Sequence, residues 1–288
     1  MNNNIILNRV FSKVTIEELI KSNRSKVLDR AYEKYFTEDA NSISNLSKFE
    51  KLYYLLNNTY RNEYYYKNTI INKILIGKHS INTSFAMAEQ PINKSKADVV
   101  IINGKAVVYE IKTKLDSLQR LNSQILDYYT VFDHVEILID ESHLEKVLEV
   151  YKDSPVGISV LTKRNTISQK KKPKRNREYL NHQSIYKVLR KNERKELLQR
   201  FYKKVPEYDQ FTEYKLNLLL FEKIEIESLY EQFLKILKQR NVIKNNSSDF
   251  LKIPYELKSL IYFSKLKENE YYRLNNALEE EIHVLSIS

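Results

Sequence analysis

Two short apolar runs, ADVVII (97–102) and AVVYEIKT (106–113), flank Asn103-Gly104 and constrain this chain more than any other stretch. β-branched residues dominate both runs, and Asn-Gly between such runs is a strong short-range hairpin signal. Yet Asp98 stands near the start of the first run, and Glu110 and Lys112 lie near the end of the second. A charge among buried residues costs several kcal/mol unless it is paired or bound to a metal. The stretch is therefore either an amphipathic hairpin edge or a site that holds a cation.

Geometry separates the two. Residues i and i+2 of a strand share a face, so Glu110 and Lys112 point the same way. A two-residue turn at Asn103-Gly104 would set Asp98 opposite Tyr109, on the other face from Glu110. The carboxylates meet only if the register moves by one. A three-residue loop with Gly104 left-handed and a bulge does this by placing Asp98 opposite Val108; a bulge further along either strand would serve as well. Two carboxylates and a lysine gathered this way suit phosphodiester cleavage: the acids hold a divalent ion and the lysine orients water or offsets developing charge. The competing reading is a solvent-facing edge with a cross-strand ion pair worth less than about 1 kcal/mol. Glu-x-Lys recurs at Glu193/Lys195, Glu213/Lys215 and Glu256/Lys258, but in surroundings that read as helix.

Composition narrows the chemistry. There is no cysteine, which removes disulfides, zinc ribbons and thiol nucleophiles. Three glycines in 288 residues argue against dinucleotide and P-loop sites. The five histidines are scattered, so a metal here would be held by carboxylate oxygens, pointing to Mg²⁺ or Mn²⁺. A net charge of +11 suits a polyanionic partner, nucleic acid above all, although an AT-rich coding sequence also inflates Lys, Asn and Tyr. Apolar runs such as 216–221 are too short to cross a bilayer. The opening MNNNIILNRVFSK lacks the pattern of an export signal, so a cytoplasmic protein with no membrane partner is expected.

Periodicity places the motif in a mixed α/β layer. Apolar residues at three-to-four spacing predict helices in the first sixty residues, with Asn45 a start signal, and a further helix over about 62–76 that stops at Gly77. NTSFAMAEQPI reads as a strand ended by Pro91. After the hairpin, LDSLQRLNSQILDYYTVF reads as a helix capped by Asp116, HVEILI as a strand, SHLEKVLEVYK as a helix and GISVLT as a last strand. The expected domains are a helical segment over 1–60, a core over 61–162, a basic linker over 163–177 and a helical region over 178–288.

Ala97-Asp98 followed by Glu110-Ile111-Lys112 resembles the PD-(D/E)XK nuclease superfamily, with Ala97 where the superfamily's name has proline. Gln124 and Tyr128 resemble the Gln-x-x-x-Tyr motif of its RecB-like branch. More closely, RNEYYYKN, KADVVIINGKAVVYEIKT and LQRLNSQILDYYTVFD resemble a family of bacterial and phage proteins assigned to that superfamily, over roughly residues 60–165. The resemblance implies a restriction-endonuclease-like core of helix, three strands, helix and strand, with flanking helical segments. It implies a Mg²⁺- or Mn²⁺-dependent deoxyribonuclease in phage defence, phage–host conflict or DNA processing. Asp98, Glu110 and Glu63 would be metal ligands, Lys112 the catalytic lysine, and Gln124 and Tyr128 would orient the site or touch substrate. Glu89 is a further candidate acid. For Glu63 the competing reading is an ordinary helix-surface pair with Lys67, and for Tyr128 a place in the buried stripe.

The basic run over 163–177 holds the candidate nucleic-acid contacts Lys170, Lys171, Lys172, Lys174, Arg175 and Arg177; a flexible solvated linker is the alternative. DNA is the expected partner, and a homodimer is allowed. The rival to the nuclease is a catalytically silent nucleic-acid-binding or regulatory protein on the same fold.

Overall fold

The computed structural model describes residues 4–37, 40, 43–206, 208, 209 and 211–279. Helices α1 (Asn4–Val10), α2 (Lys13–Ser22), α3 (Lys26–Tyr35), α4 (Asn45–Asn58) and α5 (Glu63–Ile70) come first. A six-residue π-helical turn, Ile71–Ile76, carries α5 on to Gly77. There follow β1 (Phe85–Ile92), β2 (Ser95–Asn103), β3 (Lys105–Lys112), α6 (Leu121–Tyr129), β4 (His134–Ile139), α7 (Leu144–Tyr151), β5 (Gly157–Leu161) and β6 (Ile167–Lys171). The rest is helical: α8 (His182–Val188), α9 (Lys191–Phe201), α10 (Glu213–Glu222), α11 (Ile226–Gln239), α12 (Ser247–Lys252), α13 (Lys258–Ser264) and α14 (Glu268–Glu279).

The chain divides into two compact units, 82–241 and a discontinuous unit of 1–81 with 242–288. This differs from the expected division. The helices after residue 177 do not form one region: α8–α11 belong with the sheet, and α12–α14 with the N-terminal helices. Helical periodicity fixes which stripe of a helix is buried, not which layer buries it.

In the helical unit, side-chain oxygens of Ser12, Ser25, Ser44 and Asn62 cap α2, α3, α4 and α5. Asn45 therefore sits inside α4, one residue after its cap. Its amide instead donates to the carbonyls of Asn23 (2.9 Å) and Ala277 (2.7 Å), tying both ends of the chain together. Asn68 does the same on α5, donating to Tyr255 O at 2.9 Å and accepting from Ser259 N at 2.9 Å. Lys48 is wholly buried and pairs with Asp29 at 2.6 Å.

In the other unit the six strands lie in the order β1-β2-β3-β4-β5-β6. β1, β2 and β3 form an antiparallel meander, and β3, β4 and β5 run parallel through the crossovers α6 and α7. β6 closes the row antiparallel to β5. This is a mixed α/β sheet, as expected, with one strand more. Pro91 does not end β1 but pairs opposite Lys96, tolerated because β1 is the sheet's edge. Val100, Ile102, Ala106, Val108, Val135, Ile137 and Ile139 share one core with Ile125 and Tyr128 of α6, Val147 of α7 and Phe233 of α11. Gly157 opens β5 against Pro173, where a Cβ would fall 2.7 Å from the proline nitrogen. Among the described residues no helix is long and apolar enough to cross a membrane.

Segment 163–177 is therefore no linker. Its centre is β6, an edge strand, and basic side chains on an edge oppose pairing with another sheet. Lys171 donates to the carbonyls of Tyr151 and Ser154, and burial pulls its ammonium below the usual lysine range. Arg177 pairs with Asp133 at 3.0 Å and with Glu227. These two cations serve the fold, while Lys170, Lys172, Lys174 and Arg175 remain exposed.

Candidate active site

The hairpin register decides whether the acids can meet. β2 and β3 pair Val99 with Tyr109, Val100 with Val108 and Asn103 with Lys105, leaving Gly104 at the tip with φ 70°. Gly104 is left-handed, as expected, and the plain two-residue turn does not form. The register is not the expected one, however. Val108 lies opposite Val100 rather than Asp98, and the ladder ends at Val99/Tyr109. Both registers have the same parity, so Glu110 and Lys112 lie on the face shared by Val100 and Val108, the face that α6 covers; Asp98 lies past the last rung, near enough to α6 for its charge to act on Tyr128.

Around Asp98 the sheet is distorted. The β1–β2 ladder runs from Ala88/Val99 to Gln90/Ala97, stepping over Glu89 and Asp98. Glu89 has φ 55°, a left-handed conformation that costs a residue with a Cβ about 1–2 kcal/mol. On the other side of β2, Asp98 accepts the N–H of Ile111 at 2.7 Å. The side chain thus takes a donor that backbone pairing beyond the last rung would use. Glu89 and Asp98 bring carboxylate oxygens within 4.8 Å of one another. Glu89 also pairs with Lys96.

Glu110 and Lys112 form the centre of a connected network. Glu110 is 1% exposed; its Oε1 accepts from Lys112 Nζ at 2.7 Å and its Oε2 from Tyr128 Oη at 2.5 Å. Lys112 Nζ also donates to Gln124 Oε1 at 3.0 Å. Gln124 and Tyr128 are one turn apart on α6 and so reach the same strand. The Tyr128 hydroxyl lies 3.0 Å from Lys96 O as well, but its single proton suits the shorter, charged partner. Burial, then the charges of Glu110 and Asp98 and the bond to Glu110, push this phenol far above its ordinary range. Tyr128 is thus a fixed donor, not a base.

The structure brings together Asp98, Glu110, Lys112, Gln124 and Tyr128 within one unit. Glu63 lies in the helical unit, in the first turn of α5, where it pairs with Lys67 at 2.5 Å. Asp116 does not cap α6; it accepts from the amide and hydroxyl of Thr113, both at 2.7 Å, and shapes the loop after β3. The left-handed Glu89 opposite Asp98 has no local sequence signal, because glutamate favours neither that conformation nor a strand.

The sequence profile of the family described as Bacteriophage P4 protein cII matches residues 56–271, a span that takes in the whole sheet, α5 and most of the C-terminal helices. No curated protein and no solved structure gives a match. With the profile covering well over half its length, the chain belongs to the bacteriophage P4 protein cII family.

Proposed function

We propose that this protein is a metal-dependent nuclease of the PD-(D/E)XK type that hydrolyses DNA phosphodiester bonds. The observation that carries the reading is the convergence of Asp98, Glu110 and Lys112, from neighbouring strands, on one sheet face beneath Gln124 and Tyr128. The order of an antiparallel three-strand meander, a helix and a parallel strand supports a restriction-endonuclease-like core. The donor set is oxygen alone, which suits Mg²⁺ or Mn²⁺. Asp98 and Glu89 are the residues to hold such an ion, with Glu110 beside them; the resemblance adds Glu63 as a further ligand. When bound, the ion supplies positive charge that acidifies water and offsets charge on the phosphate. Lys112 contributes a fixed ammonium for the attacking water or the developing oxyanion. Gln124 holds that ammonium in place, and Tyr128 keeps its proton on Oη and orients Glu110.

A second reading, a nucleic-acid-binding or regulatory protein that does not cut, is favoured by one observation: both Glu110 oxygens already have partners. Incubating the protein with linear, circular and single-stranded DNA in Mg²⁺, Mn²⁺ or chelator decides between them. Cleavage that needs metal and falls about a hundredfold or more in Lys112→Ala and Asp98→Asn supports the nuclease. Binding with no cleavage in either metal would leave the silent protein.

A further inference from the structure

Glu110 meets two conflicting demands. Its carboxylate is buried, and a charge removed from water is costly unless donors compensate it. Lys112 Nζ on Oε1, at 2.7 Å, and Tyr128 Oη on Oε2, at 2.5 Å, supply that compensation. Each bond also draws charge from an oxygen that a divalent ion would bind. Glu110 therefore becomes a better ligand if one donor can yield.

The two donors differ in what yielding costs. Lys112 carries its charge wherever it turns, and Gln124 Oε1 holds its ammonium at 3.0 Å. Tyr128 is neutral, and a second acceptor for its hydroxyl is already in place: the carbonyl oxygen of Lys96 on β2, 3.0 Å from Oη. The ring is fully buried in the core of the sheet unit, which fixes Oη. A hydroxyl hydrogen turns to suit its surroundings, so the donor can change partner while the heavy atoms stay where they are. In one position the bond is charge-assisted and in the other it is neutral, and the buried phenol has an acceptor in both.

We propose, on the nuclease reading of this site, that Tyr128 is a two-position donor that regulates access of the divalent ion to Glu110. Without an ion the hydroxyl donates to Glu110 Oε2 and keeps the buried carboxylate charged and in place. With Oε2 serving as a ligand, the hydroxyl donates to Lys96 O, while Lys112 keeps its place on Oε1 and on Gln124. Tyr128 is a positioning residue that acts through Glu110, and its proton stays on Oη throughout.

The test is Mn²⁺ binding by calorimetry, without DNA, to the wild-type protein and to Tyr128→Phe. The variant should bind about fivefold more tightly, because it has no charge-assisted bond to exchange for a neutral one. In chelator it should melt below the wild type, and the gap should narrow at saturating Mn²⁺. A hydroxyl that only orients Glu110 would give equal or weaker binding in the variant and a gap that the ion leaves unchanged. A second readout needs the wild-type protein alone. With isotope-labelled tyrosine and diamagnetic Mg²⁺, the hydroxyl proton of the short bond should resonate far downfield and move upfield as the ion saturates. Equal or weaker Mn²⁺ binding by Tyr128→Phe, or a proton that Mg²⁺ does not shift, overturns the switch and leaves the nuclease reading standing. No Mn²⁺ binding by the wild-type protein overturns both.

Discussion

At the residue scale the unusual position is Glu89. Its left-handed backbone opposite Asp98 places a non-glycine residue where glycine would be at ease. Such strain persists only where the surroundings impose it, and it clusters at functional sites. Glu89→Gly should therefore raise stability by about 1 kcal/mol, read from denaturant midpoints, and weaken Mn²⁺ binding measured by calorimetry. A loss of stability with unchanged Mn²⁺ affinity would mean that the carboxylate serves the fold, through its pairing with Lys96, and not an ion. Much of the site was legible in the chain. Period-two alternation set Glu110 and Lys112 on one face, and helical spacing set Gln124 and Tyr128 on another. The hydrogen-bond partners were not legible, because which oxygen of Glu110 meets which donor depends on how α6 lies on β3. Nor was the register: parity could be argued from Gly104, but the number of rungs is fixed by how the whole ladder packs.

At the scale of elements, the segment around β6 shows what sequence patterns conceal. Eight basic residues and no acid over 163–177 read as a solvated run, since composition registers charge and not where each charge ends. Arg177 ends on Asp133, the last residue before β4. Asp133 is 2% exposed and also accepts from Tyr230 Oη at 2.9 Å and faces His134 Nδ1 at 2.8 Å, while the Arg177 guanidinium stacks 4.7 Å from the Tyr230 ring. Burial alone would raise the Asp133 carboxyl; the bonds from His134, Tyr230 and Arg177 outweigh it and hold the group below its usual range. With the folded value below the unfolded one, the hub's contribution is complete above the ordinary aspartate range, about 3.9, and is lost as pH falls through the folded value. Arg177→Ala should cost about 3 kcal/mol at neutral pH, as expected when one partner of a buried pair is removed. The deficit against wild type should shrink on acidification, as Asp133 takes up a proton in both proteins. Urea melts across pH measure both; a constant deficit would show that Arg177 acts by packing on Tyr230 alone.

At the scale of the molecule, the sheet unit is an insertion: the chain leaves the helical unit at residue 81 and rejoins it at 242. Within the insert, entry and exit lie side by side, since Asn241 donates to Ser84 O at 2.8 Å. Adjacent ends are what allow one compact unit to be carried inside another. Sequence showed helices at both ends but not that they form one body, because the ties, Asn45 to Ala277 and Asn68 to Tyr255, join residues far apart in the chain. The charge of +11 is read at this scale too, and salt can separate its parts. If duplex DNA lies along the β6 edge, each phosphate neutralised adds about 0.9 to the steepness with which log affinity falls against log salt. Lys170, Lys172, Lys174 and Arg175 are exposed, so replacing any that touches DNA by alanine should flatten the slope by that amount at little cost in stability. Lys171→Ala and Arg177→Ala should do the opposite, lowering stability with the slope unchanged, because their charges already serve Ser154 and Asp133. Fluorescence anisotropy of a labelled duplex over a salt series gives the slopes. Four exposed-residue variants with the wild-type slope would move the DNA off this edge, and the basic side chains of β6 would then be left with the role of guarding the sheet against a second sheet.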